Sequence, residues 1–354
     1  MVTISKSIMS WQNIAGFNCA LALFLHIAGL DLGVVPLLLA LLITSFSLLN
    51  GKLTTGQLVC LVLLIACTFA LFSLELLQYE FFVISFFIIL GALAASDWRI
   101  LNSTLKTSMI IALCLGTVAL PEGLFGGRTS VFGVNPVWQS WLFSFGFLVN
   151  WTFTRSRSLF IIISLVLASA IIGTGTRAAI LATISAVLAL ELMRGRAALS
   201  VFFISIFSGV GIYAIQNRLT EISGSRSLFE DMARLEMYRI AASEIIDNPF
   251  GYGFGDFHYL HWDYPHNILL EITHATGIIG LAVFLIILIF AFLKLVSHKS
   301  EVVRSLVPFL VITFILALFS GSLVSHRALY FVLGASIAVP SRTGRREQTP
   351  AQQS

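Results

Sequence analysis

The chain has 354 residues, 58% of them hydrophobic and only 11% charged, whereas soluble domains carry about 25% charged residues. A mean hydropathy of +0.95 excludes a water-soluble fold. The formal net charge of +4 does not point to nucleic acid, because the basic residues sit in short segments between apolar stretches, where membrane topology accounts for them.

Apolar stretches able to cross roughly 30 Å of hydrocarbon as helices recur along the whole sequence, and no soluble segment of domain size separates them. They predict an all-α polytopic membrane protein in which residues 1–354 form a single membrane domain of about twelve transmembrane helices. The expected spans are 11–30, 32–49, 57–74, 79–95, 105–120, 137–153, 158–172, 178–193, 198–215, 267–293, 303–320 and 325–339. Lys6 and the first apolar run resemble a signal peptide, but no small-x-small cleavage pattern follows, so 11–30 reads as an uncleaved helix. Cys19, Cys60, Cys67 and Cys114 all fall inside spans and imply no disulfide framework. The seventh span runs into Gly173-Thr174-Gly175-Thr176, a sequence compatible with a clean helix end or with a broken, re-entrant one. Between the ninth and tenth spans lies one long polar loop, 216–266, and 340–354 forms a tail.

Orientation follows from lysine and arginine. With a cytoplasmic N-terminus, fourteen of the 21 basic residues fall in inner loops, every inner loop has at least one, and both termini are cytoplasmic. The other seven, Arg128, Arg177, Arg218, Arg226, Arg234, Arg239 and Arg327, lie at the outer face, and none is lysine. Guanidinium is planar, permanently charged and able to donate two parallel hydrogen bonds, which suits a phosphate-bearing ligand. The same loops hold many acids, so surface ion pairs worth about 0–1 kcal/mol are the ordinary explanation, and we adopt it for Arg218, Arg226 and Arg239. Arg128 and Arg327 stay open between the two readings. Arg177 follows Gly-Thr-Gly-Thr at the outer end of its span, where a charge near hydrocarbon is expensive unless it snorkels or meets a ligand.

The 216–266 loop is patterned. Ser227 with Glu230 fits a capping box, and Leu228, Met232, Leu235 and Ile245 recur at helical spacing up to Asp247-Asn248-Pro249, predicting an amphipathic helix along the outer surface. Arg234 falls within it, with Glu230 at i−4 as its ordinary ion-pair partner. Gly251-Tyr252-Gly253-Phe254-Gly255 then gives a flexible turn, and Pro265-His266-Asn267 opens span ten. Asn267, Glu271 and His274 share one face of that helix, turned toward a cavity or toward another helix. His266 stands at the helix start, where the N-terminal dipole favours a neutral ring able to accept a proton. His258, His261, Asp263 and His266 also admit a reading as metal ligands, but their spacing matches no zinc signature, and no metal or other cofactor is expected.

Arg234-Leu-Glu-Met-Tyr238, Asp247-Asn-Pro249, Gly251-Tyr-Gly253-Phe-Gly255, Pro265-His266-Asn267 and Gly277-Ile-Ile-Gly280-Leu281 together resemble the signature region of the O-antigen ligase and O-antigen polymerase superfamily. Thr176-Arg177-Ala178 resembles that family's Ser-Arg-Gly segment with both neighbours substituted, and Arg128 to Asn135-Pro136 resembles its preceding outer loop. The resemblance is specific over about residues 170–285 and topological elsewhere. It implies a multi-pass protein of the bacterial inner membrane, a metal-independent, inverting glycosyltransferase whose donor is a glycan on undecaprenyl diphosphate. By motif, Arg177 and Arg234 correspond to arginines that engage the donor diphosphate, and His266 to a histidine that positions or deprotonates the acceptor hydroxyl. Arg128, Arg327, Asn267, Glu271 and His274 are the substrate-binding candidates around them, with Glu271 and His274 set behind the reacting groups. The acceptor is lipid A–core oligosaccharide for a ligase and a second lipid-linked repeat unit for a polymerase. The rival class is a transporter or flippase for lipid-linked sugars. It is disfavoured because no internal repeat is visible and the polar groups gather at the outer boundary, His26 being the main exception.

Overall fold

Runs of apolar residues bounded by small, capping or charged residues set the helices of the chain. The computed structural model describes residues 11–24, 62, 76–124, 135–196, 226–261, 264–319 and 321–339. In chain order its helices are α1 (Trp11–Phe24), α2 (Leu76–Ser96), α3 (Trp98–Leu124), α4 (Pro136–Phe153), α5 (Arg157–Thr174), α6 (Arg177–Met193) and α7 (Arg226–Asp247). They continue with α8 (Asp256–His261), α9 (Ile268–Val296), α10 (Glu301–Arg304), α11 (Val307–Phe319), a 3₁₀ turn (Leu323–Ser325) and α12 (Arg327–Ala338). No strand occurs among the described residues. The expected spans at 32–49 and 198–215, and 57–74 apart from residue 62, lie outside the described residues, as does the 340–354 tail. Among the described residues, four helical stretches are long and apolar enough to cross a membrane, Trp98–Leu120, Arg157–Thr174, Ile268–Val296 and Glu301–Phe319.

The helix ends have local causes. Asn135 caps α4 by accepting from the Val137 N–H at 3.0 Å, with Pro136 opening the first turn. Gly175, at φ 62°, closes α5 in the left-handed conformation, so Gly-Thr-Gly-Thr is a clean helix end followed directly by α6. The helix expected in the polar loop is α7. It starts at Arg226, which puts Ser227 inside the first turn rather than at the cap.

Packing follows membrane-protein rules, in which small residues let helices approach closely. A Cβ on Gly91 of α2 would fall 1.9 Å from the Phe331 carbonyl oxygen of α12, and one on Gly334 of α12 would fall 1.9 Å from that of Ile88. Phe86, Phe87, Phe143, Phe145, Phe309, Tyr330 and Phe331 are fully buried.

The helices also sort charged residues by end. The Ser144 hydroxyl of α4 donates to the Ala179 carbonyl of α6 at 3.4 Å, and Trp151 Nε1 donates to Glu191 Oε1 at 2.9 Å, so α4 and α6 run parallel. Their C-terminal end holds buried Glu191, paired with Arg194 at 2.9 Å. At their N-terminal end Trp141 stacks on His326, ring centroids 5.2 Å apart, beside the start of α12. Lys294, near the end of α9, donates to the Ile337 carbonyl near the end of α12. Arg194 and Lys294 thus share one end, and Arg177, His326 and Arg327 share the other.

Candidate functional site

The site is built on the N-terminal half of α9. Asn267 caps that helix, its Oδ1 accepting from the N–H groups of Leu269 at 3.0 Å and Leu270 at 3.3 Å, while its Nδ2 donates to the Leu318 carbonyl of α11 at 3.1 Å. One turn on, Glu271 is buried and its Oε2 accepts from the Leu323 N–H at 2.6 Å, holding the 3₁₀ turn before His326. His274, 1% exposed, places Nε2 at 2.9 Å from Glu244 Oε2. The face shared by Asn267, Glu271 and His274 therefore meets neighbouring elements through hydrogen bonds. A small pocket adjoins it, with Gly253, His258, Tyr264, Glu271, His274 and Leu323 in its wall.

Glu244 is the hub of this region. Its other oxygen, Oε1, lies 2.8 Å from His261 Nε2, so one carboxylate joins α7 to both α8 and α9. The His274 ring is held between Tyr252, stacked at 4.8 Å with an interplanar angle of 14°, and Phe257, edge-on at 5.1 Å.

The glycine run is anchored, which differs from the flexible turn expected of it. Gly277 interrupts α9 with φ 72° and ψ −178°, and the carbonyls this break frees are taken up by the run. The Tyr252 N–H donates to the His274 carbonyl at 2.8 Å and the Gly253 N–H to that of Ala275 at 3.0 Å, while the Ile278 N–H donates to the Pro249 carbonyl at 2.9 Å. Gly251 and Gly277 touch backbone to backbone, and a Cβ on Gly251 would fall 2.5 Å from the Gly277 nitrogen. Neither position accepts a side chain.

His266 precedes the cap. Its φ of 52° is the only positive value at a non-glycine residue among the described residues, a strained conformation that persists where the surroundings over-determine it. Its ring meets Tyr264 edge-on at 5.0 Å, and it lies within electrostatic range of His326. Arg234 sits half-buried on α7, one turn before Tyr238. Burial pushes the Tyr238 phenol up; Arg234 pulls it down and Glu271 pushes it up, which puts that stretch of α7 near Glu271 of α9. Arg177, the first residue of α6, is exposed at the Trp141–His326 end. Arg327 opens α12 with its guanidinium 5.6 Å from the Phe87 ring centre. Arg128 lies outside the described residues.

Of the four side chains open to a metal reading, His261 is held by Glu244, His258 is exposed near the Tyr264 ring, and Asp263 lies outside the described residues. Among the described residues no three His, Cys, Asp or Glu side chains converge to hold a metal ion. Sequence reasoning passed over Glu244, His326 and Trp141. Glu244 looked like one surface acid among many, and only the tertiary contacts single these residues out.

No curated protein and no solved structure matches the chain. Residues 141–285 match a family model described as O-antigen ligase, and over that stretch, which holds Arg177, Arg234 and His266, the chain resembles the O-antigen ligase superfamily of ligase- and polymerase-type membrane enzymes.

Proposed function

We propose that the protein is an O-antigen ligase-type glycosyltransferase that moves a glycan from undecaprenyl diphosphate to a hydroxyl of lipid A–core oligosaccharide at the outer face of the bacterial inner membrane. The family match supports a ligase- or polymerase-type activity in general. The ligase reading extends it by the description of the matched model.

The chemistry needs few parts. The acceptor oxygen attacks the anomeric carbon from the face opposite the diphosphate, the glycosidic bond forms with inversion, and the C–O bond to the diphosphate breaks. Negative charge builds on the departing diphosphate, and preorganised arginines stabilise it where a divalent ion would otherwise be needed. In this reading Arg177 and Arg234 take that role, and His266, through a ring nitrogen, takes the proton that leaves the acceptor hydroxyl. Asn267, Glu271 and His274 shape the site from behind, through the hydrogen bonds that hold α9 to α11, to the 3₁₀ turn and to α7.

The observation that carries this reading is the alignment of α7 with α9. Glu244 meets His274, and the Pro249 carbonyl just past α7 receives the Ile278 N–H, so the two helices run side by side in the same direction. At about 1.5 Å per residue, Arg234 stands about 15 Å before Glu244 on one helix, and the start of the other, with His266, lies about 10 Å before His274. The arginine and the histidine therefore belong to the same end of the pair, where Arg177 also emerges. This supports an anionic donor and a proton acceptor meeting in one place.

The test is transfer by the purified protein in detergent with a lipid-linked donor and, separately, lipid A–core or a second lipid-linked repeat as acceptor. Product on lipid A–core is expected, and turnover continues in excess EDTA. Product on the second repeat alone would make the protein a polymerase, and no product with either acceptor would favour a transporter.

A further inference from the structure

Glu244 is the one carboxylate among the described residues that two histidines share, at 2.8 Å from His261 and 2.9 Å from His274. A carboxylate accepts hydrogen bonds and donates none, so both rings face it with Nε2 protonated. His274 is fully buried between Tyr252 and Phe257, and its own carbonyl receives the Tyr252 N–H, so this ring has no freedom to follow a moving partner. The fixed partner is α9, and what the contact locates is α7. On α7 the inward stripe runs through Arg234, Tyr238, Ala241 and Glu244, of which Ala241 is fully buried, so a shift at Glu244 is carried along the helix to Arg234. Charge-assisted hydrogen bonds of this length are about twice as strong as neutral ones, which makes the pair of contacts a strong polar tie between α7 and its neighbours.

We propose that Glu244 is a positioning residue that sets the place of Arg234 against the donor diphosphate, by clamping α7 between His274 of α9 and His261 of α8. This rests on the reading that Arg234 engages the diphosphate. Each Glu244 oxygen already meets an imidazole, so its effect is exerted through the place of α7. Loss of the clamp should therefore weaken donor recognition and leave the proton transfer at His266 in place.

The experiment measures donor KM and kcat of the full-length protein in detergent for Glu244→Gln, Arg234→Lys and the double variant. The glutamine side chain keeps the shape but removes the charge and leaves one oxygen to accept with, so both contacts lose their charge assistance and one histidine must change tautomer to keep its own. Donor KM is expected to rise at least fivefold in Glu244→Gln, with kcat falling by less than the tenfold expected of Arg234→Lys. In the Arg234→Lys background the same substitution should change donor KM by less than twofold, because residues acting through one another are non-additive. His261→Ala, which removes only the half-exposed contact, stands in if Glu244→Gln does not fold, with a smaller rise in KM and the same dependence on Arg234. A donor KM unchanged in both variants, a loss confined to kcat, or equal effects with and without Arg234→Lys overturns the positioning role while the diphosphate reading stands. A donor KM unmoved by Arg234→Lys itself overturns the diphosphate reading and the positioning role together.

Discussion

Arginine and histidine have different work in the proposed site, and their substitutions should separate by what they change. Lysine at Arg177 or Arg234 keeps the charge and loses the paired hydrogen bonds, so each change should weaken donor binding. Turnover should fall at least tenfold, about 1.4 kcal/mol of transition-state stabilisation. His266→Ala should leave donor binding nearly intact and lower transfer by about 10²–10⁴-fold, the usual worth of general-base assistance. Arg239→Lys, on an exposed position of the same helix as Arg234, should behave as wild type. Donor binding measured beside single-turnover transfer checks all four, and an unchanged Arg234→Lys protein would return that residue to a structural role. Residue types were legible here from the sequence, because arginine at a membrane boundary is costly enough to be informative. Tertiary partners were not, since helical spacing names only neighbours on the same helix, such as Glu230 at i−4 of Arg234, whereas Glu244 of α7 meets His274 on another helix.

At the scale of elements, the docking of the glycine run on the broken α9 is what gives the site its shape. A helix interrupted near hydrocarbon leaves carbonyl and N–H groups that must be satisfied by protein, and the Pro249–Gly253 backbone supplies the partners for His274, Ala275 and Ile278. Gly277→Ala should therefore be severe. The position has φ 72°, and a Cβ would fall 2.5 Å from the Phe250 carbonyl carbon and 2.6 Å from the Pro249 oxygen, so the cost exceeds the roughly 1–3 kcal/mol of the backbone conformation alone. Gly253→Ala is the contrast, because its φ of 115° is equally foreign to a side chain while nothing stands within 4 Å of the added carbon. Thermal unfolding in detergent should show a markedly larger loss for Gly277→Ala than for Gly253→Ala, and equal losses would argue against the docked junction. Three glycines in five residues announce a turn in the sequence, but a second glycine that receives them lies more than twenty residues further on, beyond any local pattern.

For the whole molecule, Arg194 and Lys294 lie at one end of the described helices and Arg177 and Arg327 at the other, and we propose that the first end faces the cytoplasm. Labelling of single cysteines, in a protein freed of its four native ones, should mark positions in 216–265 from outside and positions near Arg196, Lys299 and Arg345 from the cytoplasm. Labelling of 216–265 from the cytoplasm alone would remove the proposed site from the outer face. By itself the sequence determined the class of the protein, the bounds of α2 through α6, α9 and α12 to within a few residues apart from a longer α3, and the existence of α7. Hydrocarbon demands long apolar helices, and a polar helix at its surface must show a periodic face. Only the tertiary structure decided that Glu244 joins His261 to His274, that Glu271 holds the turn before His326, and that Trp141 lies against His326. Periodicity tells which side of a helix a residue occupies, but helices that are apolar all round reveal nothing of which neighbour will meet that side, and these partners are separated by 17 to 52 residues for Glu244 and Glu271.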